Sequence, residues 1–522
     1  MRADYLHRPA LSVEGVDPLT YGDVHERRNV YANALLAAGV APGDRVGLML
    51  RNCVDYWPLH LAIATIGAIT VRINFRLSAD ELDYVLDDSG CSLIVVHGEL
   101  LSTLRLCRHR HGLRDVVVVV DRDPHEIPDW AIAAHEWLSG QPADPIPTTD
   151  RTGEPHMIMY TSGTTGRPKG AVWTHRSTVM FGAMQVMQWG ATPARVAMTV
   201  GPLYHVGSME DVLLPTLMSG GHAVITRSGE FSLRHALEVA AALRVTDLLL
   251  FPAMVYELLE MDDLDQLDLS SLRTLLTGGS PLVDRAVTQF DAAFPTVELW
   301  SVYGLTEGGG ISVAMSPPEA REHPSAAGRP LPLGAVRIET DADAGPGVGG
   351  EICVRGPNTA VSYWNRPAES AETFVDGWVH TGDLGRIDAN GILTVTGRKK
   401  DMIRTGDENV YAAEVERVLA AHPAVLESAV VGLPDARYGE AVCAVIVVRH
   451  GAVLSPSDVV AHCRAHLAGY KKPRYVAFVA DLPRNATAKV VKHRLQAMLT
   501  EGAVTPLPTQ SPERSSDPKG MR

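Results

Sequence analysis

The stretch Tyr160–Gly170 reads Tyr-Thr-Ser-Gly-Thr-Thr-Gly-Arg-Pro-Lys-Gly and constrains this chain more than any other feature. Its glycines let the backbone turn several N–H groups onto one anion, its hydroxyl residues add donors, and Lys169 adds positive charge. The apolar run Met157–Tyr160 before it is typical of a strand that ends in a loop. We therefore predict a loop that wraps a phosphate group.

A Walker A loop is the nearest alternative, because it also combines glycines with a lysine. The residue types argue against it. Pro168 stands where the second glycine must be, and Gly170 follows Lys169 where Ser or Thr is required. A glycine- and threonine-rich surface turn remains as the non-functional interpretation.

A chain of 522 residues is too long to fold around a single hydrophobic core, so two or more domains are predicted. Short apolar runs alternate with helical stretches through residues 20–330, as in α/β units with mostly parallel strands. Examples are the strand-like Arg45–Leu50 and the helix-like Tyr56–Ile66. From Ala335 to Arg355 short strands with Gly/Pro turns predict a small β subdomain.

A smaller unit of mixed helices and strands begins near Lys400. Its pattern includes the helix-like Ala412–Ala421 and the strand-like Ala441–Val448. The predicted fold class is thus α/β, with a large N-terminal domain over residues 1–399 and a smaller α+β domain over 400–504. The remaining residues, 505–522, are rich in Pro, Ser and charge and are predicted to be a disordered tail.

The net charge of −14 argues against nucleic acid as the main partner, because that partner requires a basic surface. Met1–Pro9 lacks a secretory pattern, and the apolar runs have the length of strands, so no integral membrane segment is expected. The six cysteines show no paired spacing, which favours reduced thiols in a cytoplasmic protein. The cluster Cys107–His111 is compatible with a metal site, but a solvated basic patch is the favoured interpretation.

Further motifs follow the phosphate loop in a fixed order, and together they resemble the adenylate-forming superfamily of acyl-CoA synthetases, luciferases and peptide-synthetase adenylation domains. The resemblance covers nearly the whole chain. The motifs are Leu19–Tyr21, Gly43–Val46, Pro202–His205, Gly278–Leu282, Tyr303–Glu307, Thr381–Asp383, Gly397–Asp401 and Pro483–Lys489.

The resemblance implies an acid–CoA ligase that uses ATP, Mg²⁺ and CoA. A carboxylic acid would attack the α-phosphate of ATP, and the resulting acyl-AMP would pass its acyl group to CoA. Both partners of the first step are anions, so several positive charges and donors must neutralise them. Glu307 is the implied Mg²⁺ ligand, and the alternative for it is an acid at a helix N-terminus.

The same resemblance assigns the other site residues. The phosphate-binding set is Thr161, Ser162, Gly163, Thr164, Thr165, Gly166 and Lys169. The adenine-binding set is Gly278, Gly279, Ser280 and Tyr303, with Gly304 and Thr306 in the adjoining motif.

Asp383 would accept the ribose hydroxyls, and Arg398 would hold ribose or phosphate. Lys489 would bridge the substrate carboxylate and the α-phosphate, with His205 near that carboxylate. Lys400 would be the hinge on which the small domain moves. Each of these residues also has a non-functional interpretation if the motif order is ignored. Asp383 would then be a turn residue, Lys489 would be a solvated surface lysine, and His205 would be a histidine packed in the core.

Two positions depart from the family pattern. Asp407 stands where a second glycine is usual in the loop Arg404–Val410, which the resemblance places along the thiol tunnel. Ala488 replaces the glycine before the lysine. We expect adenylation to be intact and thioester formation to be slowed by the charge and bulk of Asp407.

The substrate is predicted to be an apolar acid, in keeping with fatty acid metabolism or an alicyclic or terpenoid acid. No aspartate directly follows His205 to pair with an α-ammonium, and Glu210 and Asp211 are expected to lie too far along the chain. The run Gly308–Gly310 is expected to leave room for a bulky acyl group.

Two other functions remain open. An adenylating enzyme that delivers its acyl group to a carrier protein or partner enzyme is the alternative to the CoA ligase. A degenerate nucleotide-binding protein is the non-catalytic reading. The argument against this non-catalytic interpretation is that the five charged residues assigned to the site are all retained, namely Lys169, Glu307, Asp383, Arg398 and Lys489. The sequence does not predict an oligomeric state.

Overall fold

The computed structural model describes residues 3–107, 112–119, 127–161, 167–229, 231–279, 282, 284–323, 326–340, 349–405, 408–435, 438–484 and 490–509. The chain forms two compact units. The first contains Met1–Leu282, Ala286–Arg337 and Cys353–Thr381. The second contains Val283–Arg285, Ile338–Ile352 and Gly382–Arg522. The predicted boundary at Lys400 stays a prediction.

The first unit holds an eight-stranded sheet that carries the phosphate loop. In spatial order its strands are Ser362–Tyr363, Lys169–Thr174, Pro155–Thr161, Ile69–Arg72, Arg45–Met49, Leu93–His97, Asp115–Val119 and Ile132–Ala133. The helices in this part of the chain are Tyr21–Ala37, Tyr56–Thr65, Ala79–Ser89, Leu101–Cys107 and Ala134–Trp137. The central strands pair in parallel, as the alternating pattern predicted.

Both faces of this sheet are buried. Met157 and Met159 pack in one apolar core, whereas Ile158 between them packs in another. Successive side chains of a strand point to opposite faces, so a strand buried on both faces must be apolar throughout. That requirement explains the continuous apolar run before the phosphate loop.

Local capping fixes where the helices begin. Thr20 accepts a hydrogen bond from the Asp23 backbone N–H (3.1 Å), and the Asp23 carboxylate accepts one from the Thr20 N–H (2.8 Å). This capping box starts the helix Tyr21–Ala37 earlier than its apolar pattern indicates. Ser78 and Glu81 form the same arrangement before Ala79–Ser89, which Gly90 ends in a left-handed conformation.

A nine-stranded sheet completes the large α/β part of the first unit. In spatial order its strands are Arg329–Pro330, Gly310–Met315, Glu298–Leu305, Thr274–Gly278, Asp247–Leu249, Val196–Thr199, His222–Ile225, Pro9–Val13 and Leu19–Thr20. The helices that follow the phosphate loop are His175–Trp189, Val206–Ser208, Leu214–Met218, Leu233–Ala242, Pro252–Leu259, Asp284–Ala293, Pro317–Glu322 and Pro367–Thr373. A π-helical turn spans Met209–Leu213.

The predicted small β subdomain corresponds to a five-stranded sheet. Its strands are Ala335–Glu339, Gly350–Arg355, Phe374–Val375, Trp378–Ile387 and Leu393–Arg398.

The C-terminal α+β fold is confirmed. Its six-stranded sheet contains Glu408–Tyr411, Met402–Thr405, Val425–Asp435, Gly439–Val448, Tyr475–Phe478 and Leu507–Pro508. Its helices are Ala412–Ala420, Pro456–His466 and Lys492–Thr500.

The predicted start of a disordered tail at residue 505 is too early. Leu507–Pro508 pairs antiparallel with Tyr475–Val476. An edge strand has unpaired backbone groups that a further strand can bind, and proline is tolerated in a strand at the edge of a sheet. Residues 510–522 lie outside the described part. Among the described residues, no helix combines the length and apolar character needed to cross a membrane. All six cysteines are free and buried, as expected.

Candidate active site

The phosphate loop closes an antiparallel hairpin. Thr161, the last residue of one strand, pairs in register with Lys169, the first residue of the next. A Walker A loop opens into a helix instead, so the geometry agrees with the exclusion made on residue types. The predicted phosphate ligands Ser162, Gly163, Thr164, Thr165 and Gly166 lie outside the described residues.

Side chains from distant segments hold both ends of this loop. Tyr160 donates to Asp88 Oδ2 at 2.7 Å on the entering strand. On the leaving side, Tyr84 donates to the carbonyl of Pro168 at 2.9 Å. Arg366 in turn donates to the Tyr84 hydroxyl at 2.7 Å. The residues on both sides of the loop are thus held by side chains outside the motif, and no local sequence pattern predicts such contacts.

Glu307 lies beside the hairpin, in the turn between strands Glu298–Leu305 and Gly310–Met315. It is therefore not an acid at a helix N-terminus. Its side chain is largely buried, with the residue 9% exposed, and Oε1 accepts hydrogen bonds from Thr161 Oγ1 and the Tyr363 hydroxyl, both at 3.0 Å.

Tyr363 contacts two of the predicted site residues, although sequence analysis missed it. Its hydroxyl bonds to Glu307, and the Lys169 ammonium lies 5.2 Å from the centre of its ring. Burial, and next the Glu307 carboxylate, raise the pKa of the Tyr363 hydroxyl well above its usual value. The hydroxyl therefore remains a donor at all working pH values.

The backbone around Glu307 is fixed by other contacts. Trp173 Nε1 donates to the carbonyl of Thr306 at 3.1 Å, and the Ala360 N–H donates to the carbonyl of Glu307 at 3.0 Å. Asn358 Nδ2 donates to the carbonyl of Gly308 at 3.1 Å. Together these bonds orient the Glu307 side chain toward the hairpin without using its carboxylate.

Glu307 suits Mg²⁺ as a single protein ligand. Among the described residues it belongs to no group of three or more His, Cys, Asp or Glu side chains that could hold an ion. Mg²⁺ prefers oxygen ligands and is commonly held by one or two carboxylates together with substrate phosphates. The carboxylate and the neighbouring hydroxyls therefore fit Mg²⁺ that arrives with a nucleotide.

Two of the predicted adenine residues, Gly278 and Tyr303, lie on adjacent strands. Gly278 is opposite Val302 in register, next to Tyr303. A Cβ on Gly278 would lie 2.6 Å from the Val302 carbonyl oxygen, and one on Gly304 would lie 1.9 Å from the Gly310 carbonyl oxygen. Strand packing thus requires both glycines, whether or not a base binds there. Gly279 has a φ of +94°, and Ser280 lies outside the described residues.

The run Gly308–Gly310 does not leave an open space. A Cβ on Gly308 would lie 2.7 Å from Leu305, and one on Gly309 would lie 2.3 Å from the Asn358 carbonyl oxygen. A Cβ on Gly310 would lie 2.6 Å from the Phe181 ring. The expectation of a roomy pocket at these glycines is therefore wrong, because neighbouring atoms already fill the space that side chains would need.

His205 is half-buried, so it is not a packed core histidine. Its Nδ1 accepts a hydrogen bond from the Gly207 N–H at 3.1 Å and caps the short helix Val206–Ser208. This bond leaves the proton of the neutral ring on Nε2. The ring can then donate to a carboxylate oxygen.

In the second unit, Asp383 and Arg398 form an ion pair. They lie opposite one another on paired strands, with Arg398 Nε 2.8 Å from Asp383 Oδ1. Asp383 is 4% exposed, whereas the Arg398 side chain is 48% exposed. Asp383 lies within strand Trp378–Ile387 and is therefore not a turn residue, because Gly382, with a φ of +70°, is accommodated within the strand.

The remaining predicted residues of this unit are only partly described. Lys400 is exposed in the short helix Lys399–Asp401. The predicted loop Arg404–Val410 is largely a hairpin, formed by Met402–Thr405 and Glu408–Tyr411. Asp407 and the segment with Ala488 and Lys489 lie outside the described residues, as do most residues of the cluster around Cys107.

The comparisons with known proteins decide the family. The AMP-binding enzyme family matches residues 2–364, and the AMP-binding enzyme C-terminal domain matches residues 414–489. This chain belongs to the AMP-binding enzymes. It is an AMP-forming acid–CoA ligase of the adenylate-forming superfamily, with ATP, CoA and a small carboxylic acid as its substrates.

Relatives align along nearly the whole chain. A feruloyl-CoA synthase of Amycolatopsis sp is 35% identical, over 92% of this chain and 93% of that protein. The fatty acid–[acyl-carrier-protein] ligase ScoC of Streptomyces coeruleorubidus is 34% identical, over 94% and 93%. The crystal structure of the anthranilate CoA ligase AuaEII with anthranoyl-AMP superposes with a TM-score of 0.87 at 26% identity, covering 96% of each chain.

Proposed function

We propose that this ligase converts an apolar carboxylic acid to acyl-AMP with Mg²⁺–ATP, and then to acyl-CoA with release of AMP. The observation that carries the proposal is the network of Thr161, Glu307, Tyr363 and Lys169 at the base of the phosphate loop. It joins hydroxyl donors, a carboxylate and an ammonium where ATP phosphates would bind.

Each member of this network has a proposed role. Thr161 and Lys169 bind phosphate oxygens, and Tyr363 orients Glu307 through its hydroxyl. Glu307 holds Mg²⁺, which when bound supplies charge that neutralises the phosphates. His205 donates from Nε2 to the carboxylate of the acid. Lys489 bridges that carboxylate and the α-phosphate, and it is the residue whose role rests most on the resemblance.

The residues that the family pattern assigns to the nucleoside are also given proposed roles. Gly278, Gly279, Ser280 and Tyr303 would line the adenine. In the second unit, the buried Asp383, paired with Arg398, would accept the ribose hydroxyls. Lys400 would be the hinge. The free, buried cysteines are compatible with a reducing compartment, so we place the enzyme in the cytoplasm.

A two-stage assay tests the function. Pyrophosphate release is first measured with Mg²⁺–ATP and a panel of aryl and fatty acids, and CoA or a phosphopantetheinylated carrier protein is then added. We expect pyrophosphate release with at least one apolar acid and thioester formation with CoA. No release with any acid would contradict the proposal. Thioester formed with the carrier protein alone would indicate the carrier-protein alternative.

Asp407 gives a separate prediction for the thioester step. Replacing Asp407→Gly is expected to speed acyl-CoA formation several-fold and to leave adenylate formation unchanged, because only the thiol path is widened. Rapid-quench measurement of both steps checks this. Equal acyl-CoA rates in the parent and the variant would show that Asp407 does not obstruct the thiol.

A further inference from the structure

Arg72 is a buried charge in the eight-stranded sheet of the first unit. It ends the strand Ile69–Arg72, and its side chain is 0% exposed. Arginine is almost never fully buried unless it is paired, because desolvation of its charge is costly. The groups that the guanidinium contacts therefore indicate the role of this residue.

The guanidinium of Arg72 contacts the chain on both sides of His205. Nη1 donates to the carbonyl of Leu203 at 3.2 Å, two residues before His205. Nη2 lies 2.6 Å from Oε2 of Glu210, which follows His205 and has a side chain that is 1% exposed. One rigid, planar group thus joins the two ends of the segment that carries the histidine.

Other buried side chains hold the same two ends. The Leu203 N–H donates to Asn52 Oδ1 at 2.8 Å, and Asn52 is 4% exposed. The backbone carbonyl of Glu210 accepts from Gln185 Nε2 at 2.7 Å, and Gln185 is also buried. The backbone before and after His205 is therefore fixed by polar contacts in the interior of the unit.

Arg72 also links His205 to the strand that enters the phosphate loop. The strand Ile69–Arg72 pairs in parallel with Pro155–Thr161, which ends at that loop. His205 instead follows Val196–Thr199, a strand of the nine-stranded sheet. The Arg72 side chain thus reaches from one sheet to a segment that follows a strand of the other. It connects the element proposed to bind ATP with the one proposed to bind the acid.

We propose that Arg72 is a positioning residue for the adenylation step, which holds His205 at a fixed place relative to the phosphate loop. The inference rests on the proposed function, in which His205 Nε2 donates to the carboxylate of the acid. Arg72 itself does not touch the substrate. A displacement of about 1 Å in a group that orients a reactant can cost about 100-fold in rate, so a rigid link between the two elements has a direct use.

The alternative is an ion pair that contributes to stability alone. Removal of one partner of a buried pair is strongly destabilising, whereas replacement of both partners by apolar residues of similar volume is often neutral or stabilising. Methionine in place of both Arg72 and Glu210 would remove the buried charges but leave the Leu203 carbonyl without its donor. The two interpretations therefore predict different activities for a double variant that is stable.

Arg72→Met and the double variant Arg72→Met/Glu210→Met test this difference. Pyrophosphate release is measured with the acid of the panel that the parent activates fastest, and thermal unfolding measures stability. We expect the single variant to be destabilised and the double variant to recover most of that loss. Both are expected to lose about 10- to 100-fold in kcat/KM for the acid. KM for ATP should change by less than about twofold, because the phosphate hairpin is intact in both variants.

Arg72→Lys serves as the test if the methionine variants do not fold. Lysine keeps a positive charge for Glu210 but lacks the planar fork that reaches two acceptors. We expect an unfolding temperature close to that of the parent and a kcat/KM for the acid lower by about fivefold or more, the equivalent of one lost hydrogen bond.

A substitution of His205 shows through which residue Arg72 acts. His205→Ala is expected to lower kcat/KM for the acid by about 10- to 100-fold, the effect of one hydrogen bond to a charged group. In that background Arg72→Met is expected to lower it by less than about twofold further, because no ring remains to be positioned. Residues that act independently would have additive effects.

Arg195→Met/Asp247→Leu is the matched control, because Arg195 and Asp247 form another buried pair of the first unit. Arg195 Nη2 lies 3.3 Å from Asp247 Oδ1, and the side chains are 4% and 14% exposed. Arg195 directly precedes the strand Val196–Thr199 and so lies at the opposite end of it from His205. We expect kcat/KM for the acid to stay within about twofold of the parent value, whatever the change in stability.

Four results would each overturn the proposal. They are a double variant that recovers activity together with stability, additive losses in Arg72→Met and His205→Ala, a His205→Ala variant as active as the parent, and a control that loses as much activity as the double variant. Failure of the proposed function looks different, because in that case the parent itself releases no pyrophosphate with any acid of the panel.

Discussion

Glu307 and Asp383 are both buried carboxylates, yet their partners differ in charge. Glu307 accepts hydrogen bonds from the neutral hydroxyls of Thr161 and Tyr363, whereas Asp383 receives an N–H of the Arg398 guanidinium. Among the described residues, Glu307 forms no ion pair. Within the described part of the chain, the first carboxylate has only neutral partners, whereas the second is paired with a guanidinium of its own unit.

This difference in partners predicts different ligands for the two carboxylates. A buried charge without an ionic partner is costly, so the surroundings of Glu307 favour an incoming cation. A carboxylate already paired with a guanidinium has less to gain from a cation but still has lone pairs for hydroxyl donors. The two environments therefore agree with a metal role for Glu307 and a ribose role for Asp383.

The largest expected effect comes from Glu307. In Glu307→Gln the size and the hydrogen-bonding atoms are similar but the charge is lost. We expect pyrophosphate release to fall by about 100- to 1,000-fold, the range for loss of one preorganised electrostatic group, and the Mg²⁺ concentration for half-maximal rate to rise. Mg²⁺ titration at saturating ATP measures both. An unchanged Mg²⁺ requirement would refute the cation role.

Asp383→Asn is expected to act on nucleotide binding. Loss of a charged acceptor costs roughly 1.5–3 kcal/mol, so KM for ATP should rise about 10- to 100-fold while the Mg²⁺ requirement stays the same. Steady-state kinetics with ATP and with 2′-deoxy-ATP separate the causes. If the variant discriminates between the two nucleotides as strongly as the parent does, Asp383 does not bind the 2′-hydroxyl of the ribose.

The sequence predicted what local pattern or motif order can encode. The apolar run before the phosphate loop became a strand buried on both faces, and the strand-like Arg45–Leu50 became Arg45–Met49. Motif order also led to Glu307 and Asp383, although Asp383, a turn residue by its local pattern, lies within a strand.

The sequence could not predict contacts between segments far apart in the chain. Tyr363 belongs to no recognised motif, and nothing local distinguishes a site tyrosine from a core tyrosine. Gly308–Gly310 suggested empty space, but the filling atoms come from Phe181 and Asn358, distant in sequence.

The smallest expected effect comes from Tyr363, which acts on Glu307 and not on the substrate. In Tyr363→Phe the ring that faces Lys169 remains and only the hydroxyl bond to Glu307 is lost. A hydrogen bond of this kind contributes about 1 kcal/mol, so we expect the rate of pyrophosphate release to fall by roughly fivefold to tenfold. High Mg²⁺ is expected to recover most of this loss.

Tyr470→Phe is the matched control, because Tyr470 is 43% exposed in the second unit and has no assigned role in the site. It should leave both the rate and the Mg²⁺ dependence unchanged. A loss in Tyr363→Phe that high Mg²⁺ does not recover would mean that the hydroxyl supports packing and does not orient Glu307. The contrast between neutral and ionic partners would then no longer support the proposal that these two carboxylates bind different ligands.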